Sequence, residues 1–255
     1  MELTEDCCNL QVTFASEYMA KGTQVNVISS NDYYVAPPER TGEEAAISTK
    51  RAVIWIHDIF GMHPNAKQAA DLVARAADAH VIVPDFFHGE VCDRSQGRPA
   101  ITAFIDRHSY AAHVRADLST VLSWLKLKGA TRVAAFGLCW GGRIALSAGQ
   151  ELDSAFATIS AVGSAHPSRL VADDGKTLRV PLCLLPSKGE DAEIMDSIFR
   201  DVKANPEIGP HSVHTRFDTM SHGWVGASAD FIDPEKLKNA NKALNIATDF
   251  FKATL

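Results

Sequence analysis

A chain of 255 residues in which 46% are hydrophobic can bury a substantial core, which excludes a largely disordered protein. Its 25 basic and 31 acidic residues give a formal charge of −6 and no basic run stands out, which argues against nucleic acid and anionic membrane surfaces as partners. No apolar stretch approaches the roughly 20 residues needed to span a bilayer.

The start, Met1-Glu2-Leu3-Thr4-Glu5-Asp6, is acidic and lacks the basic and apolar regions of a signal peptide. Cysteines at 7, 8, 92, 139 and 183 form an odd, scattered set unsuited to a disulfide framework. Both features predict a cytoplasmic protein with reduced thiols. A strand-like stretch near 24–29 leads into a loop over 36–50. Apolar runs at 52–56, 81–83, 133–136, 156–161, 180–185 and 212–217 predict strands. Helical patterns lie between and after them, near 64–79, 100–128, 141–150, 190–203 and 234–252. This alternation predicts an α/β fold in one domain over 1–255, a three-layer sandwich whose mostly parallel central sheet carries helices on both faces. Ligands then bind at the carboxyl ends of the strands, and the 90–110 segment is the expected cap or gate.

One strand end stands apart. Gly137-Leu138-Cys139-Trp140-Gly141-Gly142 follows an apolar run and precedes a helical one, which is the form of the nucleophile elbow G-x-S-x-G with Cys in place of Ser. A free cysteine often merely packs, but glycines on both sides lift this one out of a tight turn. In the chain order nucleophile, acid, histidine, the loop after the 180–185 strand offers Glu190 and Asp191, and the loop after the 212–217 strand offers His222. Asp191 is preferred as the acid, because it opens the following helix where a short carboxylate can be aimed inward. Its plain alternative is a helix N-terminal carboxylate stabilising the dipole. The Trp140 amide, with Ile59 from the loop after the 52–56 strand, supplies the expected oxyanion donors. Phe60, Phe87, His88, His166 and Trp224 stand near strand ends as substrate-pocket candidates, although core packing explains many such phenylalanines equally well.

Together His57-Asp58-Ile59-Phe60-Gly61, Pro84-Asp85-Phe86-Phe87, the Cys139 elbow, Gly189-Glu190-Asp191 and His222-Gly223-Trp224 resemble the dienelactone hydrolase family of the α/β-hydrolases, from about residue 50 to the end. Ala165-His166-Pro167-Ser168 is similar to its eukaryotic branch. The resemblance implies the α/β-hydrolase fold, a triad of Cys139, Asp191 and His222, and an oxyanion hole at Ile59 and Trp140. Two positions depart from the family's bacterial pattern. Asp58 stands where a glutamate contacts the resting thiol, so it either activates Cys139 or braces its loop. Gly226 stands where an arginine clamps the substrate carboxylate, and Arg94, Arg98 and Arg107 are the remaining candidates for such contacts.

The expected function is a carboxylic ester hydrolase that opens esters or lactones through a thioacyl-enzyme. It would need no cofactor, take a small-molecule substrate, and act as a monomer or homodimer. A catalytically silent small-ligand-binding homologue is the alternative. A metal hydrolase is a weaker third: His57, His63, His88, His211 and His214 are numerous, but no H-E-x-x-H or paired C-x-x-C occurs, and no metal site is expected.

Overall fold

A computed structural model describes residues 14–15, 17–37 and 50–255. Cys7, Cys8 and most of the expected 36–50 loop lie outside the described residues. The strands are β1 (Thr23–Val25), β2 (Asp32–Val35), β3 (Arg51–Ile56), β4 (His80–Val83), β5 (Arg132–Leu138), β6 (Ile159–Ala165), β7 (Leu182–Leu185) and β8 (Val213–His214). The helices are α1 (Pro64–Ala77), α2 (Gly97–Arg107), α3 (Arg115–Leu127), α4 (Trp140–Gly149), α5 (Ala192–Ala204) and α6 (Pro234–Thr254). Among the described residues no helix is long and apolar enough to cross a membrane.

The sheet runs in the order β1-β2-β4-β3-β5-β6-β7-β8. Its first two pairings are antiparallel and the rest parallel. Side-chain alternation along each strand splits the core into two. In β3, Val53 and Trp55 face α1 and α6, together with Phe136, Leu138, Leu244 and Phe251. Ala52, Ile54 and Ile56 face the opposite side, with Leu118, Val121, Ile144 and Ile198 of α3, α4 and α5. The result is the expected three-layer α/β-hydrolase sandwich.

Three elements differ from the sequence reading. The 24–29 run is not one strand, because the buried Asp32 carboxylate accepts the amides of Val27, Ile28 and Ser29 and curls that stretch into a loop. The chain then returns as β2, which pairs antiparallel with β4. The 100–128 pattern is two helices, parted where the His108 ring bonds the Phe104 carbonyl and a π turn spans Tyr110–Val114. The 156–161 run begins too early: Asp153 caps a short 3-10 turn over Ser154–Phe156, and β6 starts only at Ile159.

At the centre, β5 meets α4 with almost no space between them. A Cβ on Gly137 would stand 1.9 Å from the Gly141 carbonyl oxygen, and one on Gly141 would stand 2.7 Å from the Ile56 carbonyl oxygen. A Cβ on Gly142 would meet Ser164 Oγ at 2.2 Å. Only glycine lets the helix start this close to the sheet. Gly137→Ala should therefore lower folding stability by about 3 kcal/mol or more, seen as a lower urea midpoint. An unchanged midpoint would mean that the elbow relaxes freely.

Candidate active site

Cys139 sits on the turn between β5 and α4 with φ at +55°, a left-handed conformation that a non-glycine residue adopts only under constraint. The constraint is visible. The Cys139 amide donates to the Ala165 carbonyl at 3.3 Å, and the Cys139 carbonyl accepts from Gly142 at 3.0 Å and Ser168 at 2.9 Å. The thiol is thereby presented at the carboxyl end of the sheet, on the wall of a cleft of about 280 Å³.

His222 comes from the loop between β8 and α6 and lines the same cleft as Cys139, whose sulfur acts on its charge. Its other side is held by a carboxylate, and that carboxylate belongs to Glu190. His222 Nδ1 lies 2.7 Å from Glu190 Oε1. Glu190 Oε2 in turn accepts the Ser187 amide, and the side chain is buried. The structure thus corrects the preference for Asp191. Asp191 is exposed and caps α5, its Oδ1 accepting the Ile194 amide at 3.1 Å. An N-cap side chain must point back at its own helix to reach that amide, so it cannot also reach into the cleft. Glu190, one residue earlier, points the other way. The sequence signal was present in the Glu190-Asp191 pair, and the N-cap rule applied to the second member selects the first.

Burial disfavours a charge on His222, but the Cys139 sulfur and the Glu190 carboxylate outweigh it and push its pKa up to about 10. Glu190 follows the same logic in reverse. Burial alone would raise its pKa, yet bonds from His222 and Ser187 hold it below the usual carboxylate range. Beneath them His166 is fully buried, edge-on to the His222 ring with centroids 5.0 Å apart. Burial, with the neighbouring His222 charge, drives His166 down to about 3, so it stays neutral.

The Ile59 and Trp140 amides stand at comparable heights. Ile56 of β3 pairs with Gly137 of β5, and each amide lies three residues further on. In the Asp58–Gly61 turn, Phe60 N donates to Asp58 Oδ1 at 2.9 Å and Gly61 N to the Asp58 carbonyl at 3.1 Å, leaving Ile59 N without an acceptor among the described residues. Trp140 opens α4, so its amide is one of the free donors of a helix N-terminus. Its indole locks that end in place: Nε1 donates to the His108 carbonyl at 3.2 Å, and the ring stacks on His57 and against Phe87. Asp58 braces the loops. Besides Phe60 N, it accepts Ala227 N through Oδ2 at 2.9 Å, tying the turn after β3 to the turn after His222. A side chain at position 226 would collide with that carboxylate, since a Cβ there would stand 2.5 Å from Asp58 Oδ2.

Of the pocket candidates only Phe60 lines the cleft, alongside Asp58, Ile59, Ile101, Cys139, His222, Gly223 and Ser228. Phe87 is core, wedged among His57, Phe104, His108 and Trp140. Trp224 is also core, packed on Phe217. His88 points elsewhere and pairs with Asp117 at 2.7 Å. His166 supports His222 from below. Ile101, on α2, was missed as a residue, although the 90–110 segment was the expected cap. Arg107 is engaged with Glu90 at 2.6 Å, and among the described residues no lysine or arginine lines the cleft. His88, His113 and Asp117 bring potential metal-ligating atoms within 4.8 Å of one another. Their own bonds already hold them, His88 to Asp117 and His113 Nε2 to the Phe86 carbonyl.

The dienelactone hydrolase family model matches residues 39–255. The chain belongs to the dienelactone hydrolase family. Over 216 residues it is 29% identical to an uncharacterized AIM2 family protein of Schizosaccharomyces pombe, covering 80% of this chain and 83% of that one. It is 25% identical to the carboxymethylenebutenolidase homolog of Mus musculus over 233 residues, 89% of each chain. A putative dienelactone hydrolase from Klebsiella pneumoniae shares the fold, with a TM-score of 0.66, 18% identity, and coverage of 91% of this chain and 98% of that one. Membership of this family supports a hydrolase function.

The His222–Glu190 contact can be checked without any substrate. Glu190→Gln should move the His222 titration, followed by NMR, down from about 10, whereas Asp191→Asn should leave it in place. Because the folded pKa lies above the unfolded value near 6.5, the contribution of His222 to stability is fully present below about pH 6.5. It is lost as pH rises through about 10. A shift in the Asp191 variant instead would contradict the assigned contact.

Proposed function

We propose that this protein is a carboxylic ester hydrolase that cleaves esters or lactones through a thioacyl-enzyme on Cys139. The observation that carries the reading is the Glu190–His222 hydrogen bond, with His222 and Cys139 lining one cleft beside two free backbone amides. A nucleophile beside a base, with the base oriented by a third group, is the arrangement that activates a weak nucleophile. Family membership supplies the reaction class.

In this mechanism His222 Nε2 takes the Cys139 proton, while Nδ1–H stays on Glu190, which fixes the ring and stabilises the imidazolium. The thiolate adds to the ester carbonyl, forming the C–S bond. The oxygen that becomes negative is received by the Ile59 and Trp140 amides, reinforced by the positive end of α4. As the tetrahedral centre collapses, the C–O bond breaks and His222 protonates the leaving alkoxide. Water, deprotonated by His222, then attacks the thioester; the acid leaves and the proton on His222 returns to Cys139.

The cleft also indicates the substrate class. Ile59, Phe60 and Ile101 give it apolar surface, and Asp58 places a carboxylate on its wall with no lysine or arginine lining it among the described residues. A neutral ester or lactone fits that lining, and an anionic one meets like charge. Against p-nitrophenyl acetate, Cys139→Ala should lose about 1,000-fold or more in kcat, and intact-mass measurement of the wild type should show the acyl adduct on Cys139. Parent-level turnover in that variant would favour the silent-homologue reading, with the hydrolysis arising elsewhere. Between two lactones differing by a free carboxylate, the neutral one should show at least about tenfold higher kcat/KM. A preference for the acid would mean that a cation outside the lining reaches the substrate.

A further inference from the structure

The Cys139 sulfur has a second neighbour besides His222. Ser168 Oγ lies 3.9 Å from Sγ, within the reach of a hydrogen bond to sulfur. We propose that Ser168 is a positioning residue for Cys139, its hydroxyl holding the sulfur and donating to it once it is a thiolate. The proposal rests on the reading of Cys139 as the nucleophile and deepens it.

Four consecutive residues fix where this hydroxyl stands. The His166 amide donates to the Leu185 carbonyl at 3.0 Å, which pins the loop to the end of β7. Pro167 abuts α4, since a Cβ on Gly142 would lie 2.9 Å from Pro167 Cβ. The Ser168 amide donates to the Cys139 carbonyl at 2.9 Å, so serine and cysteine are joined through their backbones as well as their side chains. Arg169, at φ +59°, is ion-paired with Asp106 of α2. The hydroxyl has no other partner among the described residues. A hydroxyl carries one hydrogen and two lone pairs, so it accepts from a thiol and, after rotating, donates to a thiolate.

The charged groups around the sulfur make a neutral donor useful. His222 faces it from the loop after β8, and Asp58 shares the cleft from the loop after β3. Both Asp58 oxygens already accept backbone amides, from Phe60 and Ala227. Arg169, next along the same loop as Ser168, is neutralised by Asp106. A hydrogen bond to the charged form of a group favours that form, whereas a carboxylate in the same place would oppose it. When the Cys139 proton passes to His222, the Ser168 hydroxyl stabilises the thiolate left behind and remains neutral itself. The ion pair formed by that transfer is thus held from both sides.

The test is the pH dependence of Cys139 alkylation by iodoacetamide, read by peptide mass spectrometry, in the wild type and in Ser168→Ala, Ser168→Gly and Ser168→Thr. The backbone bond to Cys139 is available to all four. The Ala and Gly variants should shift the alkylation midpoint up by about one pH unit, a roughly tenfold slower reaction below the midpoint, and Thr should restore most of it. For p-nitrophenyl acetate, kcat/KM of Ser168→Ala should fall at low pH and recover at high pH, which a merely structural defect would not do. Midpoints in the Ala and Gly variants equal to the wild type's, with hydrolysis abolished by alkylation, would overturn the role of Ser168 alone. Hydrolysis that survives complete alkylation of Cys139 would overturn the nucleophile reading and this proposal with it.

Discussion

The close approach of β5 to α4, permitted by Gly137 and Gly141, sets the position from which the rest of the site follows. With no room for even a Cβ between Gly137 and the Gly141 carbonyl, the chain cannot bend gradually there, and Cys139 takes positive φ at the apex. That conformation costs on the order of 1–3 kcal/mol, and it persists because neighbouring segments over-determine it. Ala165 and Ser168 both bond the Cys139 backbone, and Trp140 nails the start of the helix to the His108 carbonyl. The thiol, the helix N-terminus and the two free amides are thereby placed as one rigid unit.

The loops opposite the elbow complete the site by a separate set of constraints. Ser187 and Glu190 belong to the loop after β7, and the bridge between Ser187 and Phe217 aligns that loop with the one leading to His222. Asp58 joins the turn after β3 to the turn after His222. The cleft walls are therefore cross-linked through carboxylates accepting backbone amides, bonds that are stronger than neutral ones. A histidine kept neutral by burial, His166, fills the space beneath His222 without competing for its partners.

Much of this was legible in the chain. Short apolar runs separated by amphipathic patterns gave the parallel sheet, because a strand buried on both faces cannot hide its composition. The glycines around Cys139 marked the elbow through sterics alone. What stayed hidden depends on partners distant in sequence. The curl before β2 exists because Asp32 gathers amides from one side and Asp85 N from the other. Phe87 and Trp224 follow strand-like runs, as pocket residues do, but their packing neighbours place them in the core. In the Glu190-Asp191 pair, sequence alone favours the helix-opening residue as the inward-aimed acid. The N-cap bond to Ile194 spends that side chain locally.

The most direct test of the account is the comparison of Glu190→Gln with Asp191→Asn in steady-state hydrolysis of p-nitrophenyl acetate. If Glu190 orients His222 for catalysis at Cys139, the Gln variant should lose about 100-fold or more in kcat, by analogy with loss of the orienting acid in other triads. Asn remains a good N-cap, so the Asp191 variant should keep kcat within about twofold. The reverse pattern, with activity lost at Asp191 and kept at Glu190, would contradict the site as described.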